Sequence, residues 1–212
     1  MTMIATNSDI IFVDADTFYR EFKERKEFVK NTEQVLLREL NHYKNECSTF
    51  IMLKDYSAGL ALEKSGRIIS VFNAGKYRRV GKVLLDKAIE LGGCKLECND
   101  VEQLRFIYGK SGFVPVSKAP LDANDMYYNI LKSKENDKDH GTTLVFWIYS
   151  EKDHKLLLED ETKYVIDFCN ILKFKTEEEA EKFRDEILEH INNLSPELNK
   201  YLSSIVTRVN SN

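Results

Sequence analysis

Residues 70–113 read Ser70-VFNAGKYRRVGKVLLDKAIELGGCKLECNDVEQLRFIYGKSG-Phe113, and the periodicity changes four times within them. Ser70 to Asn73 continues the β-branched run Arg67-Ile68-Ile69, which predicts a strand. Asn73-Ala74-Gly75 supplies turn chemistry. Val80, Val83, Leu84, Ala88 and Ile89 then recur at three and four residues, the spacing of a helix that buries one face, and Gly92-Gly93 ends it with a cheap left-handed cap. Cys94 to Cys98 alternates as a strand, Val101 to Lys110 reads as a short helix, and Gly112-Phe113 opens another strand.

Upstream, Thr49 to Leu53 and Ala58 to Leu62 are short apolar runs, and Lys64-Ser65-Gly66 separates the second from Arg67 to Phe72. Three antiparallel strands joined by tight turns follow. Residues 16 to 47 read as helix, in one piece or two: Asp16 is placed to cap a segment carrying Phe18, Tyr19, Phe22, Phe28 and Val29. Asn31 with Gln34 reads as a capping box for a second segment with Leu36, Leu37, Leu40 and Tyr43. Downstream, Lys132 to Gly141 has no apolar residue and reads as a surface loop, whereas the unbroken hydrophobicity of Thr143 to Tyr149 predicts a strand buried on both faces. Tyr164 to Phe174 reads as a strand or hairpin edge. Thr176 with Glu179 is a capping box before Ala180, Phe183, Ile187 and Ile191, and Ser195-Pro196 opens a last helix.

The fold class expected is mixed α/β (α+β): a mostly antiparallel twisted sheet with flanking helices over residues 1–150, and a small α/β or helical extension over 151–212. A chain of 212 residues, 42% hydrophobic and 31% charged, can close a core. No stretch reaches the length a bilayer span needs, and the first residues do not look like an export signal, so the expected location is the cytoplasm. Four cysteines without paired spacing, Cys47, Cys94, Cys98 and Cys169, fit a reducing compartment, and no metal site is expected from them or from the scattered histidines. Residues 151–212 hold nine Lys/Arg against fourteen Asp/Glu, a net of -5 within a chain of -4, which argues against a general nucleic-acid role. Gly81-Lys82 lacks the rest of a P-loop, and no Ser stands in a hydrolase elbow.

The turn itself carries the chemistry. Lys76, Arg78, Arg79 and Lys82 surround Gly81 at a helix start, where backbone N–H groups lack helical acceptors; this is the composition of an anion site for a pyrophosphate, and equally of a solvated basic face. The same block, together with Tyr108-Gly109-Lys110-Ser111-Gly112-Phe113, resembles the GNAT family of N-acetyltransferases, most closely its small acetyltransferase-like members in bacteriophages. Lys76 takes the first basic position of that family's acetyl-CoA motif and Gly81 its last small one. Arg79 stands where the family usually has a glycine, and Tyr108, Gly112 and Phe113 match the second motif. The resemblance implies acetyl-CoA as cofactor, lying where two strands splay apart. Val71, Phe72 and Asn73 would pair with the pantetheine through their backbone, and Lys76, Arg78, Arg79, Val80, Gly81 and Lys82 would cradle the diphosphate.

It further implies Tyr108 as the acid that protonates the leaving thiolate; the alternative is a tyrosine that packs on an amphipathic helix. An acceptor lysine, with a pKa of ~10.4, must lose a proton before attack. Glu97 is the first candidate base, ahead of Glu63 and Asp100, and each also reads as a paired surface acid. The implied activity is acetyl transfer to an amine of a protein or small molecule, such as a phage enzyme modifying a host protein. The alternative is a degenerate GNAT-fold binding protein that inhibits or regulates one. Residues 151–212 would recognise the acceptor, bind a host partner or form a homodimer.

Overall fold

The computed structural model describes residues 3–30, 35–75, 77–124, 128–133, 142–151 and 164–208. It is of the mixed α/β class, with mostly antiparallel sheets and flanking helices. The chain forms two compact units, Met1–Cys94 and Lys95–Asn212.

In the first unit the elements are β1 (Met3–Ile4), β2 (Ile10–Val13), α1 (Ala15–Arg25), α2 (Leu40–Glu46), β3 (Cys47–Leu53), β4 (Ala58–Glu63), β5 (Ile68–Asn73), β6 (Tyr77–Arg78) and α3 (Val80–Glu90). The sheet runs β2-β3-β4-β5, antiparallel throughout, and β1 pairs in parallel with β6. The expected meander β3-β4-β5 is present, and Gly66 takes the positive φ of +80° that its turn requires. Every residue of β4 is buried, because both faces of the sheet are covered. On one face Phe18 and Phe22 of α1 and Tyr43 of α2 pack on Phe50, Met52, Ile69 and Phe72, with the Phe22 and Phe72 rings stacked 4.4 Å apart. The amphipathic α3 packs Leu84, Leu85 and Ala88 inward, against β3, β4 and β5.

The helical reading of residues 16–47 needs three corrections. α1 ends at Arg25, so Phe28 lies in a 3-10 turn and Val29 is extended. Asp14, not Asp16, caps α1: its carboxylate accepts from the Thr17 N–H at 2.7 Å, while Asp16 pairs with Lys44. The capping box at Asn31 lies outside the described residues. Leu36 and Leu37 precede the helix that was to carry them, and α2 starts only at Leu40. The backbone there has other partners: the Leu36 carbonyl accepts from Ser70 Oγ, the Arg38 N–H donates to the Tyr43 hydroxyl, and Glu39 is extended.

The second unit contains β7 (Lys95–Asn99), α4 (Glu102–Lys110), β8 (Phe113–Pro120), α5 (Tyr128–Ser133), β9 (Thr143–Tyr149), β10 (Tyr164–Ile166), β11 (Leu172–Lys173), α6 (Glu177–Glu189), α7 (Pro196–Ile205) and β12 (Val206–Arg208). Its sheet runs β11-β8-β9-β7, with only β11 and β8 parallel. β9 has neighbours on both sides, and its Val145, Phe146, Trp147 and Ile148 are buried, as the unbroken run predicted. Most of the expected loop at 132–141 lies outside the described residues, and Lys132 and Ser133 end α5.

The last sixty residues, expected as a separate extension beginning at 151, belong to this unit. β11 extends its sheet, β10 and β12 form an antiparallel ribbon, and α6 lays Ala180, Phe183 and Ile187 on β8 and β9. Thr176 caps α6 by accepting from Glu179 N–H and Ser195 caps α7 by accepting from Leu198 N–H, but the box expected at Thr176 is not closed, because the Glu179 carboxylate accepts from the Lys175 N–H instead. The 164–174 stretch is not one strand, because Asp167 turns the chain by accepting from the Cys169 N–H at 2.8 Å. Tyr201 of α7 closes an irregularity in β8. At the register shift between Pro115 and Ser117 its hydroxyl donates to the Val116 carbonyl and accepts from the Leu172 N–H.

Arg184 ties this unit together electrostatically from a side chain on α6 that is 0% exposed. Its three nitrogens each donate to a carboxylate: Nη1 to Glu97 at 3.1 Å, Nη2 to Glu181 at 2.8 Å and Nε to Asp185 at 2.8 Å. Asp185 also accepts from Lys95 of β7 at 2.8 Å. A guanidinium taken from water is tolerable only with its donors satisfied, and this network satisfies all three nitrogen atoms. Arg184→Ala, which takes the buried guanidinium away from Glu97, Glu181 and Asp185, is expected to destabilise the chain by roughly 3–5 kcal/mol in urea denaturation, and Arg184→Met by clearly less.

Candidate functional site

The turn after β5 is shaped by residues on both sides of it. β5 is the outermost strand of its sheet and pairs, among the described residues, with β4 alone. Gly59 lies opposite Phe72 and Ala61 opposite Ile69, so β5 carries an extra residue here, and Ser70 has a positive φ of +53°. Such a bulge on a non-glycine residue persists only when neighbours hold it. Ser70 Oγ donates to the Leu36 carbonyl at 3.0 Å, which spends its proton. The Tyr43 hydroxyl, 2.7 Å away, must therefore donate to Ser70 while accepting from the Arg38 N–H at 3.1 Å. Burial pushes the Tyr43 phenol pKa up, so it keeps the proton this chain of bonds requires.

Beyond the bulge, Val71 and Asn73 are half-buried and Phe72 is a core residue. The Asn73 carboxamide oxygen accepts from the Gly75 N–H at 2.9 Å, an Asx turn, and the Ala74 N–H donates to the Ser57 carbonyl. Lys76 lies outside the described residues. Tyr77 and Arg78 then pair with Met3 and Ile4, which fixes the direction in which the chain enters α3.

Arg79 is the N-cap of α3, with φ 61° and ψ 8°, in the left-handed region. Arg79 thus holds a conformation that glycine adopts freely, at a cost of about 1–2 kcal/mol for a side chain with a Cβ. The Arg79 carbonyl accepts the first helical bond, from Val83 N–H at 3.2 Å, and no backbone acceptor is found among the described residues for the N–H groups of Val80, Gly81 and Lys82. Val80 is buried, Arg78 and Arg79 are exposed, and Lys82 lies along the helix against Asp86 at 2.8 Å. The arrangement can receive an anion on free amides flanked by two guanidinium groups.

Tyr108 and Glu97 belong to the second unit. Tyr108 lies on the buried face of α4 against Phe113 and Trp147, and the absent side chain of Gly109 makes room for Ile166. Burial first, then the neighbouring Cys98 and Glu97, push its phenol pKa up, so it stays protonated. Glu97 accepts from buried Arg184, as described above. The other two carboxylates weighed as bases are also paired: Glu63 lies 3.0 Å from His42 Nε2, and Asp100 2.6 Å from Arg105 Nε. Burial pushes the Cys98 thiol pKa up and likewise raises that of Cys47, to about 12, so neither is a ready nucleophile. Cys94 precedes β7 rather than lying on it, and no group of three or more metal-binding side chains occurs among the described residues.

Sequence reasoning missed the Ser70 bulge and Arg184. Only the second left a trace, an arginine within an apolar helical stripe with Glu181 three residues before it.

No family model, no curated protein and no solved structure matches this chain. No described helix is long and apolar enough to cross a membrane.

If Arg79 holds a glycine's conformation under strain, Arg79→Gly should raise stability by about 1 kcal/mol in urea denaturation. Arg79→Val, with a branched Cβ, should lower it.

Proposed function

We propose that this chain is a cytoplasmic N-acetyltransferase that moves an acetyl group from acetyl-CoA to an amine of a protein or small molecule, in the manner of the phage-encoded GNAT proteins its motifs resemble. The observation that carries the proposal is the left-handed backbone of Arg79 at the start of α3. A residue with a Cβ is held left-handed at the position where the resembled motif has a glycine, and strain of this kind is what a binding loop under geometric constraint would retain.

Acetyl-CoA supplies the acetyl group already activated as a thioester. The free amides at Val80, Gly81 and Lys82 would hold its diphosphate, with Arg78 and Arg79 adding charge from the side. The open edge of β5 at Val71 to Asn73 would hold the pantetheine by main-chain hydrogen bonds. Tyr108, which the resemblance would make the acid for the departing sulfur, belongs to the other unit, where burial holds its proton tightly and makes it a weak acid. No carboxylate among Glu63, Glu97 and Asp100 stands ready as a base, since each is paired. The acceptor amine would lose its proton to water, and such an enzyme would work faster as pH rises toward the amine's own pKa. The net charge of -5 over residues 151–212 suits a lysine-rich acceptor or a basic host partner.

The pairing of Glu97 with Arg184 favours a second reading, a GNAT-fold protein that has given up chemistry and acts by covering a host protein. Calorimetry with acetyl-CoA separates the two. The enzyme reading predicts micromolar binding that disappears in Gly81→Glu, whose carboxylate would occupy the anion site. A folded protein that releases no heat with acetyl-CoA contradicts it and leaves the covering protein.

A further inference from the structure

Among the described residues no strand lies beside the outer edge of β2, and the geometry of that edge can be read from the ladder. The Lys54 N–H donates to the Asp9 carbonyl at 2.8 Å, which makes Asp9 and Lys54 a hydrogen-bonded antiparallel pair. Such pairs alternate, so Ile11 with Met52 and Val13 with Phe50 are of the same kind. Ile10 with Leu53 and Phe12 with Ile51 are of the other kind, whose main-chain groups point away from β3. The Ile10 N–H is taken by the Asn7 carbonyl. The Ile10 carbonyl and both main-chain groups of Phe12 face outward, and among the described residues no backbone partner meets them.

The Phe12 side chain is 57% exposed on the same strand. Natural sheet edges are usually blunted by lysine, proline or a bulge, and Ile10-Ile11-Phe12-Val13 has none of these. The run is bracketed by Asp9 and Asp14. Hydrogen bonds from Thr6 and Thr17 hold their carboxyls below the usual range, so both are ionised at neutral pH. The nearby cations are Lys54, acting on Asp9, and Arg20, acting on Asp14 but itself paired with Glu21.

We propose that the β2 edge is a docking site for an extended segment of a partner protein, apolar at its centre and flanked by Lys or Arg, which adds as an antiparallel strand opposite Phe12. Main-chain bonds to Phe12 give the affinity, and the two carboxylates select the flanks. A second copy of this chain fits worse. Only the even-numbered residues present outward groups, so two β2 edges can meet with Phe12 opposite Phe12 or opposite Ile10. In both registers Asp14 of one copy lies one position along the strand from Asp9 of the other, so each end gathers two carboxylates where Lys or Arg flanks would bring opposite charge, and this disfavours the pairing.

The test uses the full chain, isotope-labelled, with two peptides, Lys-Lys-Val-Thr-Val-Thr-Lys-Lys and its Glu-flanked counterpart. With the Lys-flanked peptide the Phe12 amide should shift and exchange with solvent more slowly, and the Glu-flanked peptide should leave it unchanged. Asp9→Asn with Asp14→Asn keeps both side chains as acceptors while removing the charges, and should weaken binding several-fold. Phe12→Pro removes the outward N–H together with the ring and should abolish binding while the chain stays folded, whereas Phe12→Ala, which removes the ring and keeps the N–H, should still bind. Unchanged exchange at Phe12 with the Lys-flanked peptide, or equal binding of both peptides, overturns the proposal. So does a concentration-dependent dimer lost in Phe12→Pro, which would make a second copy the occupant.

Discussion

Two residues that are not glycine, Ser70 and Arg79, hold positive φ at either end of the segment that leads from β5 into α3, and the candidate site depends on that constraint. Ser70 throws a bulge into an edge strand and Arg79 starts a helix from the left-handed region. The conformations differ in support. Ser70 is held by a side-chain chain of bonds through Tyr43 to the backbone at Leu36 and Arg38. Arg79 is held by what precedes it, the short β1–β6 pairing and the burial of Val80 immediately after. Strain of this kind survives where the surrounding structure over-determines it, and such places tend to be binding sites.

The second unit is organised differently, around a charge. Arg184 is covered completely, yet each of its nitrogens meets a carboxylate, and those carboxylates come from α6 itself and from β7. The acidic character of the last sixty residues is thus partly internal. Glu181 and Asp185 neutralise a buried guanidinium, which leaves the charge at the start of α6, on Glu177, Glu178 and Glu179, to favour the helix dipole. Tyr201 does for hydrogen bonding what Arg184 does for charge, satisfying the main chain on two strands where the β8 register shifts.

Much of the fold was legible because it rests on local patterns. The meander β3-β4-β5, the helix α3 with its glycine stop, and β9 buried on both faces follow from periodicity and turn chemistry over a few residues. So do the caps at Thr176 and Ser195. The errors arose where two local readings competed. Asp14 and Asp16 both precede the apolar stripe of α1, and the choice falls to the one whose carboxylate reaches an N–H three residues on. Residues 36–39 carry helical spacing, but their backbone is claimed by the Tyr43 hydroxyl and by Ser70, and Tyr43 is held there by its own bond to Ser70, a distant residue that a single sequence does not reveal. The placement of the tail on the second unit was hidden for the same reason. Its ties, Arg184 to Glu97 and Tyr201 to Val116, span more than eighty residues. At the candidate site the basic turn was visible, whereas the left-handed state of Arg79 and the pairing of Glu97 were not.

The central claim is that the start of α3 offers backbone amides preformed for the diphosphate of coenzyme A. Residue-resolved hydrogen exchange, with and without coenzyme A, tests it most directly. The account predicts slower exchange at Val80, Gly81 and Lys82, with the sheet core at β4 unchanged. Equal exchange at these three amides in saturating coenzyme A would contradict it.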